Sequence, residues 1–211
     1  MDGLSQRIIF SEADNRRVSI QFLEPCPQGS RLAVVFPGAD YTCDRPLLYY
    51  ATEVLLSKNY SVALIEDRLS RDEYWLSLSK EQRLSFAAKR ALSVWQTILS
   101  ESKYTEFTFV GKSLGTYGIA SILESFPSDH IKQLVWLTPS LNDKWHVLSS
   151  SHKKSFVAIG AKDPLFETAK HHVPAHSIVF EDADHSLETH SLELSLNILR
   201  SLLMQLKVWL E

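Results

Sequence analysis

The chain has 211 residues, with 22 Lys+Arg against 25 Asp+Glu; a formal charge of −3 argues against nucleic acid as the main partner. At 45% hydrophobic and 22% charged residues, a globular chain of this size buries roughly 70% of the surface its unfolded form exposes. No basic-then-apolar leader opens the sequence and no apolar run approaches the ~18 residues that span a bilayer, so the expectation is a cytosolic, soluble protein without a membrane partner.

Taken in chain order, eight apolar or β-branched runs read as strands: 7–10, 17–22, 32–36, 61–65, 107–110, 134–137, 156–159 and 177–180. The first two alternate with polar residues, as an antiparallel edge pair does, whereas most later runs are continuously apolar, as in parallel sheets buried on both faces. Helical patterns fall between the later strands. One opens with Asp44 as N-cap and Pro46 in its first turn, and runs toward Lys58. A second carries the stripe Leu84, Ala88, Ala91, Trp95 and Ile98. A third follows Ser113 and ends before Phe126-Pro127, and the last presents Leu192, Leu196, Leu199, Leu203, Leu206 and Leu210 as one core-facing stripe. No repeat, linker or charge block divides the chain, so residues 1–211 are expected to form one α/β domain with helices on both faces of a mostly parallel sheet. Cys26 and Cys43 are expected to be reduced thiols, because a core of this size needs no disulfide.

Five of the seven glycines (Gly38, Gly111, Gly115, Gly118 and Gly160) fall at or just beyond predicted carboxyl ends of strands, the edge where open α/β sheets bind ligands. The sharpest signal is Gly111-Lys112-Ser113-Leu114-Gly115, a G-x-S-x-G placed between a strand and a helix. A turn that tight leaves no room for side chains two residues either side of the serine. Ser113 then stands at a helix N-terminus, where the Leu114 N–H meets a developing oxyanion. A P-loop reading of Gly111-Lys112-Ser113 fails because Glu106 occupies the place of its first glycine.

A serine hydroxyl needs a histidine to take its proton and a carboxylate to orient that histidine. Of eight histidines, His185 alone lies just after the last predicted strand and just before the last helix. His171, His172 and His176 sit in a polar connection, and His130, His146, His152 and His190 have no strand-end position. Asp163, in Gly160-Ala161-Lys162-Asp163-Pro164, is the acid candidate, with Asp143 as the alternative. Glu181, Asp182 and Asp184 lie too near His185 along the chain. The Phe36-Pro37-Gly38-Ala39 loop supplies the second oxyanion donor in this reading, through the N–H of Ala39.

Together these motifs resemble the α/β-hydrolase superfamily, specifically its small, nearly cap-less serine hydrolases of the carboxylesterase and dienelactone-hydrolase kind. The resemblance spans essentially the whole chain, through Phe36-Pro37-Gly38-Ala39, Gly111-Lys112-Ser113-Leu114-Gly115, Gly160-Ala161-Lys162-Asp163-Pro164 and Asp184-His185-Ser186-Leu187. It implies the α/β-hydrolase fold, an eight-stranded sheet whose second strand is antiparallel, and two-step acyl transfer by Ser113, His185 and Asp163. No cofactor or metal is implied. Two features depart from the pattern: Pro37 stands where many members carry histidine, and only about fifteen residues, Pro139 to Lys153, are available for a lid. The pocket is therefore expected to be shallow, lined by Gly38, Tyr41, Arg45, Arg68, Trp75 and Trp145. Lys112 is expected to point away from the nucleophile.

The function these residues imply is hydrolysis of carboxylic esters or thioesters of small acyl groups, with an ester-like small molecule as partner. A ligand-binding module on the same fold is the alternative, and perhydrolase or peptidase activity a weaker third.

Overall fold

The computed structural model describes residues 3–13, 16–26, 28–101 and 103–211. Eight strands form one sheet in the order β1-β2-β4-β3-β5-β6-β7-β8. Here β1 is Leu4–Ala13, β2 Arg16–Pro25, β3 Arg31–Phe36, β4 Ser61–Glu66, β5 Glu106–Lys112, β6 Ile131–Leu137, β7 Lys154–Gly160 and β8 Ile178–Phe180. β2 runs antiparallel to both β1 and β4, and every other neighbouring pair is parallel. Seven predicted runs lie wholly in these strands and the eighth does so except for Ser177, which precedes β8, while β1 and β2 extend well beyond the predicted segments. They pair along their whole length, Leu4 opposite Pro25 to Ala13 opposite Arg16.

The continuous apolar runs have a simple cause: both faces of the sheet are covered. Leu32, Val34 and Phe36 of β3 and Phe107 and Phe109 of β5 point to one side, where they meet helix α3 (Lys80–Glu101) and helix α4 (Leu114–Ser125). Trp95 of α3 stands edge-on to both Phe107 and Phe109, with ring centroids 4.9 Å apart in each pair. Ala33, Val35 and Val110 point to the opposite side, toward helix α1 (Pro46–Ser57) and helix α7 (Leu192–Trp209). Three short helices complete the chain: α2 (Glu73–Ser77), α5 (Trp145–Ser150) and α6 (Phe166–Ala169).

Two local expectations are corrected. The N-cap of α1 is Arg45, which makes no side-chain cap, with Pro46 supplying the preset φ of the first turn. Asp44 instead accepts from the Thr42 hydroxyl and from Arg68, so its carboxylate is engaged outside the helix. The leucine stripe of α7 is only half buried. Leu206 and Leu210 are in the core and Leu199 and Leu203 pack partly buried against it, whereas Leu192 and Leu196 are exposed and Leu202, outside the predicted stripe, is fully buried. The segment expected as a minimal lid packs inward, with Leu141, Trp145, Val147 and Leu148 buried in the α3/α4 core. Cys43 is buried, Cys26 is exposed, and both are free thiols. No helix among the described residues is long and apolar enough to cross a membrane.

The turn from β5 into α4 is among the tightest approaches in the sheet layer, matched by Gly160 against Ala183. A Cβ on Gly111 would lie 2.6 Å from Ile119 Cδ1, and one on Gly115 would overlap the backbone carbonyl of Phe36. Gly115→Ala must therefore push α4 off the end of β3. The expected outcome is a loss of at least about 1–3 kcal/mol, read as a lower urea midpoint.

Candidate active site

The carboxyl ends of β3, β5, β7 and β8 bring the predicted polar residues to one place. Ser113 follows β5 directly with φ 52 and ψ −119, a left-handed conformation costing about 1–3 kcal/mol in a residue with a Cβ. Its backbone N–H donates to Leu137 O at 3.0 Å, which holds the strained turn to the end of β6. The side chain points outward and meets His185. His185 Nε2 and Ser113 Oγ are 2.7 Å apart, and His185 Nδ1 lies 2.7 Å from Asp163 Oδ2. The Asp163 side chain is fully buried, and its other oxygen accepts from the Leu165 N–H at 2.8 Å. With Nδ1–H facing the carboxylate, Nε2 is left as the acceptor for the serine proton.

The alternative acid is not at this site. Asp143 is exposed and hydrogen-bonds Tyr117, whose hydroxyl pKa rises mainly through burial and also through that neighbouring carboxylate. Asp184 shapes the histidine loop: its Oδ1 accepts from the N–H groups of Ser186 at 2.7 Å and Glu188 at 3.1 Å. Asp182 pairs with Lys162 at the surface.

The loop after β3 touches the serine. A Cβ on Gly38 would lie 3.3 Å from Ser113 Cβ, so only glycine lets this loop come so near without displacing the serine. The Gly38 N–H donates to Tyr41 O, which leaves the Ala39 N–H as the candidate donor of this loop. Two bonds fasten the loop to the 3-10 turn Leu69–Arg71: Ser70 N–H to Ala39 O at 2.9 Å and Ser70 Oγ to Asp40 Oδ1 at 2.6 Å. Leu114 opens α4, and a first-turn N–H has no carbonyl partner within its own helix.

A cavity of about 310 Å³ opens over Ser113, and Gly38, Ala39, Tyr41, Arg45, Lys112 and His185 are among its walls. Tyr41 accepts from the Leu47 N–H, and burial raises its hydroxyl pKa to about 12. Three of the predicted lining residues lie elsewhere. Arg68 is exposed and paired with Asp44. Trp75 is buried among Leu69, Phe86 and Ala87, with Ala39 and Leu114 packed against the same cluster, and it is not among the residues lining the cavity over Ser113. Trp145 belongs to the core and stacks on His172 at 5.3 Å. Behind the same loop, a smaller cavity of about 50 Å³ is lined by Gly38, Leu114 and Leu69, with Asp67 and Arg90 at its margin. Those two form a bidentate pair at 2.9 Å, and desolvation outweighs the arginine to leave the Asp67 pKa raised.

The Lys112 ammonium is directed to Thr138 and the His185 loop and makes no hydrogen bond to Ser113 among those of the described residues. Lys112 is 1% exposed and forms part of the cavity wall beside Ser113. Its Nζ donates to Thr138 Oγ1 at 2.6 Å and to the backbone carbonyl of His185 at 2.7 Å, and lies 5.1 Å from the centre of the Tyr41 ring. The lysine thus ties the nucleophile strand to the loop that presents the histidine. Burial pulls its pKa down to about 8, against the opposing pull of Asp163, Asp184 and Glu188. The only sequence signal for it was a long basic residue inside an otherwise small-residue turn.

No family model and no curated protein matches the sequence. Solved structures do match, and the chain has the α/β-hydrolase fold. A dienelactone hydrolase from Anabaena variabilis aligns with TM-score 0.70 at 13% identity, covering 98% of this chain and 97% of that one. An alpha-beta serine hydrolase homologue from Coxiella burnetii aligns with TM-score 0.68 at 13% identity, covering 94% and 96%. A cold-adapted esterase from an Arctic intertidal metagenomic library aligns with TM-score 0.66 at 14% identity, covering 97% and 95%.

The Lys112 ammonium gives the fold a measurable pH signature. Its pKa is about 8 in the folded chain, against an ordinary value of 10.5. Below pH 8 both states hold the proton, and the burial penalty is fully present. Between pH 8 and 10.5 the unfolded state binds more protons, so this group makes folding more favourable as pH rises. The urea midpoint of wild type should therefore gain on that of Lys112→Met across this window; a constant difference would contradict a depressed lysine.

Proposed function

We propose that the protein is a serine hydrolase that cleaves carboxylic ester or thioester bonds of small substrates through an acyl-serine intermediate. The observation that carries this reading is the unbroken chain Ser113 Oγ, His185 Nε2, His185 Nδ1, Asp163 Oδ2, with 2.7 Å at both hydrogen bonds. A strained turn, a buried carboxylate and a free helix N-terminus converge on one hydroxyl, a combination that a passive binding pocket does not require.

In the first step Ser113 Oγ attacks the substrate carbonyl carbon while His185 Nε2 takes the hydroxyl proton. The carbonyl oxygen becomes an oxyanion and accepts from the N–H groups of Leu114 and Ala39, assisted by the dipole of the 12-residue helix α4. Asp163 holds the ring and stabilises the imidazolium. As the carbon–oxygen or carbon–sulfur bond breaks, His185 returns the proton to the departing alcohol or thiol. Water then attacks the acyl-serine, giving its proton to His185, and the acid leaves as Ser113 recovers its hydroxyl. No step requires a cofactor or a metal.

The test combines fluorophosphonate labelling with turnover of a short-chain nitrophenyl ester. Wild type should label at one serine, and Ser113→Ala should lose both the label and at least about 10³-fold in kcat. Asp163→Asn should bind substrate normally but lose about 10³- to 10⁴-fold in kcat through the wrong histidine tautomer. Ester turnover that persists in Ser113→Ala would overturn the proposal.

A further inference from the structure

The cavity over Ser113 does not end at the histidine. It shares Tyr41, Ser186 and Glu188 with a second cleft of about 400 Å³ that runs between α1 and α7. The cleft is lined by Leu47 of α1, Leu187 of the histidine loop, and Leu192, Leu196, Leu199 and Leu202 of α7. Leu192 is 76% and Leu196 55% exposed, so the half of the α7 stripe that misses the core borders this cleft instead. Polar groups on the same walls are already engaged. Thr189 Oγ1 donates to Ser191 O at 2.9 Å, and Ser195 Oγ accepts from the Thr189 N–H at 2.8 Å.

Direction along the cleft follows from the proton path. His185 must reach the leaving atom, and the residues immediately after it, Ser186 to His190, form one wall of the cleft. The proposed oxyanion donors, the N–H groups of Ala39 and Leu114, belong to the β3 loop and to α4, and neither residue lines the cleft. We infer that the α1/α7 cleft binds the hydrocarbon chain of the departing alcohol or thiol, making the substrates small-acyl esters of aliphatic alcohols or thiols. This rests on the serine-hydrolase reading above. Glu188 at the junction disfavours a chain that ends in a carboxylate, and the leucine walls favour an uncharged one.

Each methylene taken out of water is worth about fourfold in kcat/KM when fully buried. Rates for ethyl, butyl and hexyl acetate, followed by proton release, should rise by at least about tenfold from ethyl to hexyl. Ethyl hexanoate should show no such gain over ethyl acetate. Leu196→Asp puts a charge in the cleft at an exposed position and should bring the hexyl-to-ethyl ratio near one, while Leu99→Asp, exposed on α3, should leave it unchanged. A flat alcohol series in active enzyme, a gain that follows the acyl chain, or a ratio indifferent to Leu196→Asp would each overturn the inference.

A binding measurement separates this from the hydrolase reading. Saturation-transfer NMR of hexan-1-ol with Ser113→Ala protein should show contact that Leu196→Asp removes. Contact without any acetate turnover or serine labelling would overturn the hydrolase reading while supporting the cleft. No contact, together with a concentration-dependent dimer that Leu196→Asp dissolves, would overturn the cleft as a substrate site and assign the face to a second copy of the chain.

Discussion

The contact between the first turn of α4 and the carbonyl end of β3 governs the geometry of the whole site. Because Gly115 lies against Phe36, the chain must reverse within a few residues of leaving β5, and the reversal forces Ser113 to positive φ. That conformation turns the hydroxyl outward instead of letting it cap its own helix, and indeed Ser113 makes no side-chain cap. The uncapped N-terminus of α4 is left facing the position a carbonyl oxygen would take. The hydrophobic faces on either side of the sheet, with Trp95 against Phe107 and Phe109 on one and Val110 on the other, hold β5 in place against the strain.

The fold was legible because a doubly covered parallel sheet writes itself as apolar runs of four to six residues, and all eight, Ser177 apart, lie in strands. The serine, histidine and acid were legible because each follows a strand, and parallel strands deliver their carboxyl ends to one edge. What was not legible depended on contacts between distant segments. Asp44 has the composition of an N-cap, but Thr42 and Arg68 compete for its carboxylate. Trp145 falls in the segment where related proteins carry a lid, yet its ring packs inward on His172. In α7 the heptad-like leucines predict one buried face, but Leu192 and Leu196 are exposed while Leu202, off that stripe, is buried, so the buried face depends on what packs against the helix and not on periodicity alone.

Lys112 shows how the local and distant levels meet. Its backbone belongs to the elbow, while its ammonium reaches across β6 to the carbonyl of His185. A buried charge is tolerated only where partners replace its water, and here Thr138, the His185 carbonyl and the Tyr41 ring surround it. Asp163 is buried close by, so the interior beneath the serine holds one cation and one carboxylate, with Asp184 and Glu188 farther out. In the proposed reaction His185 passes through an imidazolium, which adds a second positive charge beside Asp163. A fixed ammonium on the far side of the histidine loop opposes that charge electrostatically and supports it mechanically. The two effects are separable in principle, since the hydrogen bond to the carbonyl survives loss of one lysine proton and the charge does not. The depressed pKa of Lys112, near 8, places that separation at mildly alkaline pH, where a neutral amine can still latch the loop while no longer repelling the imidazolium.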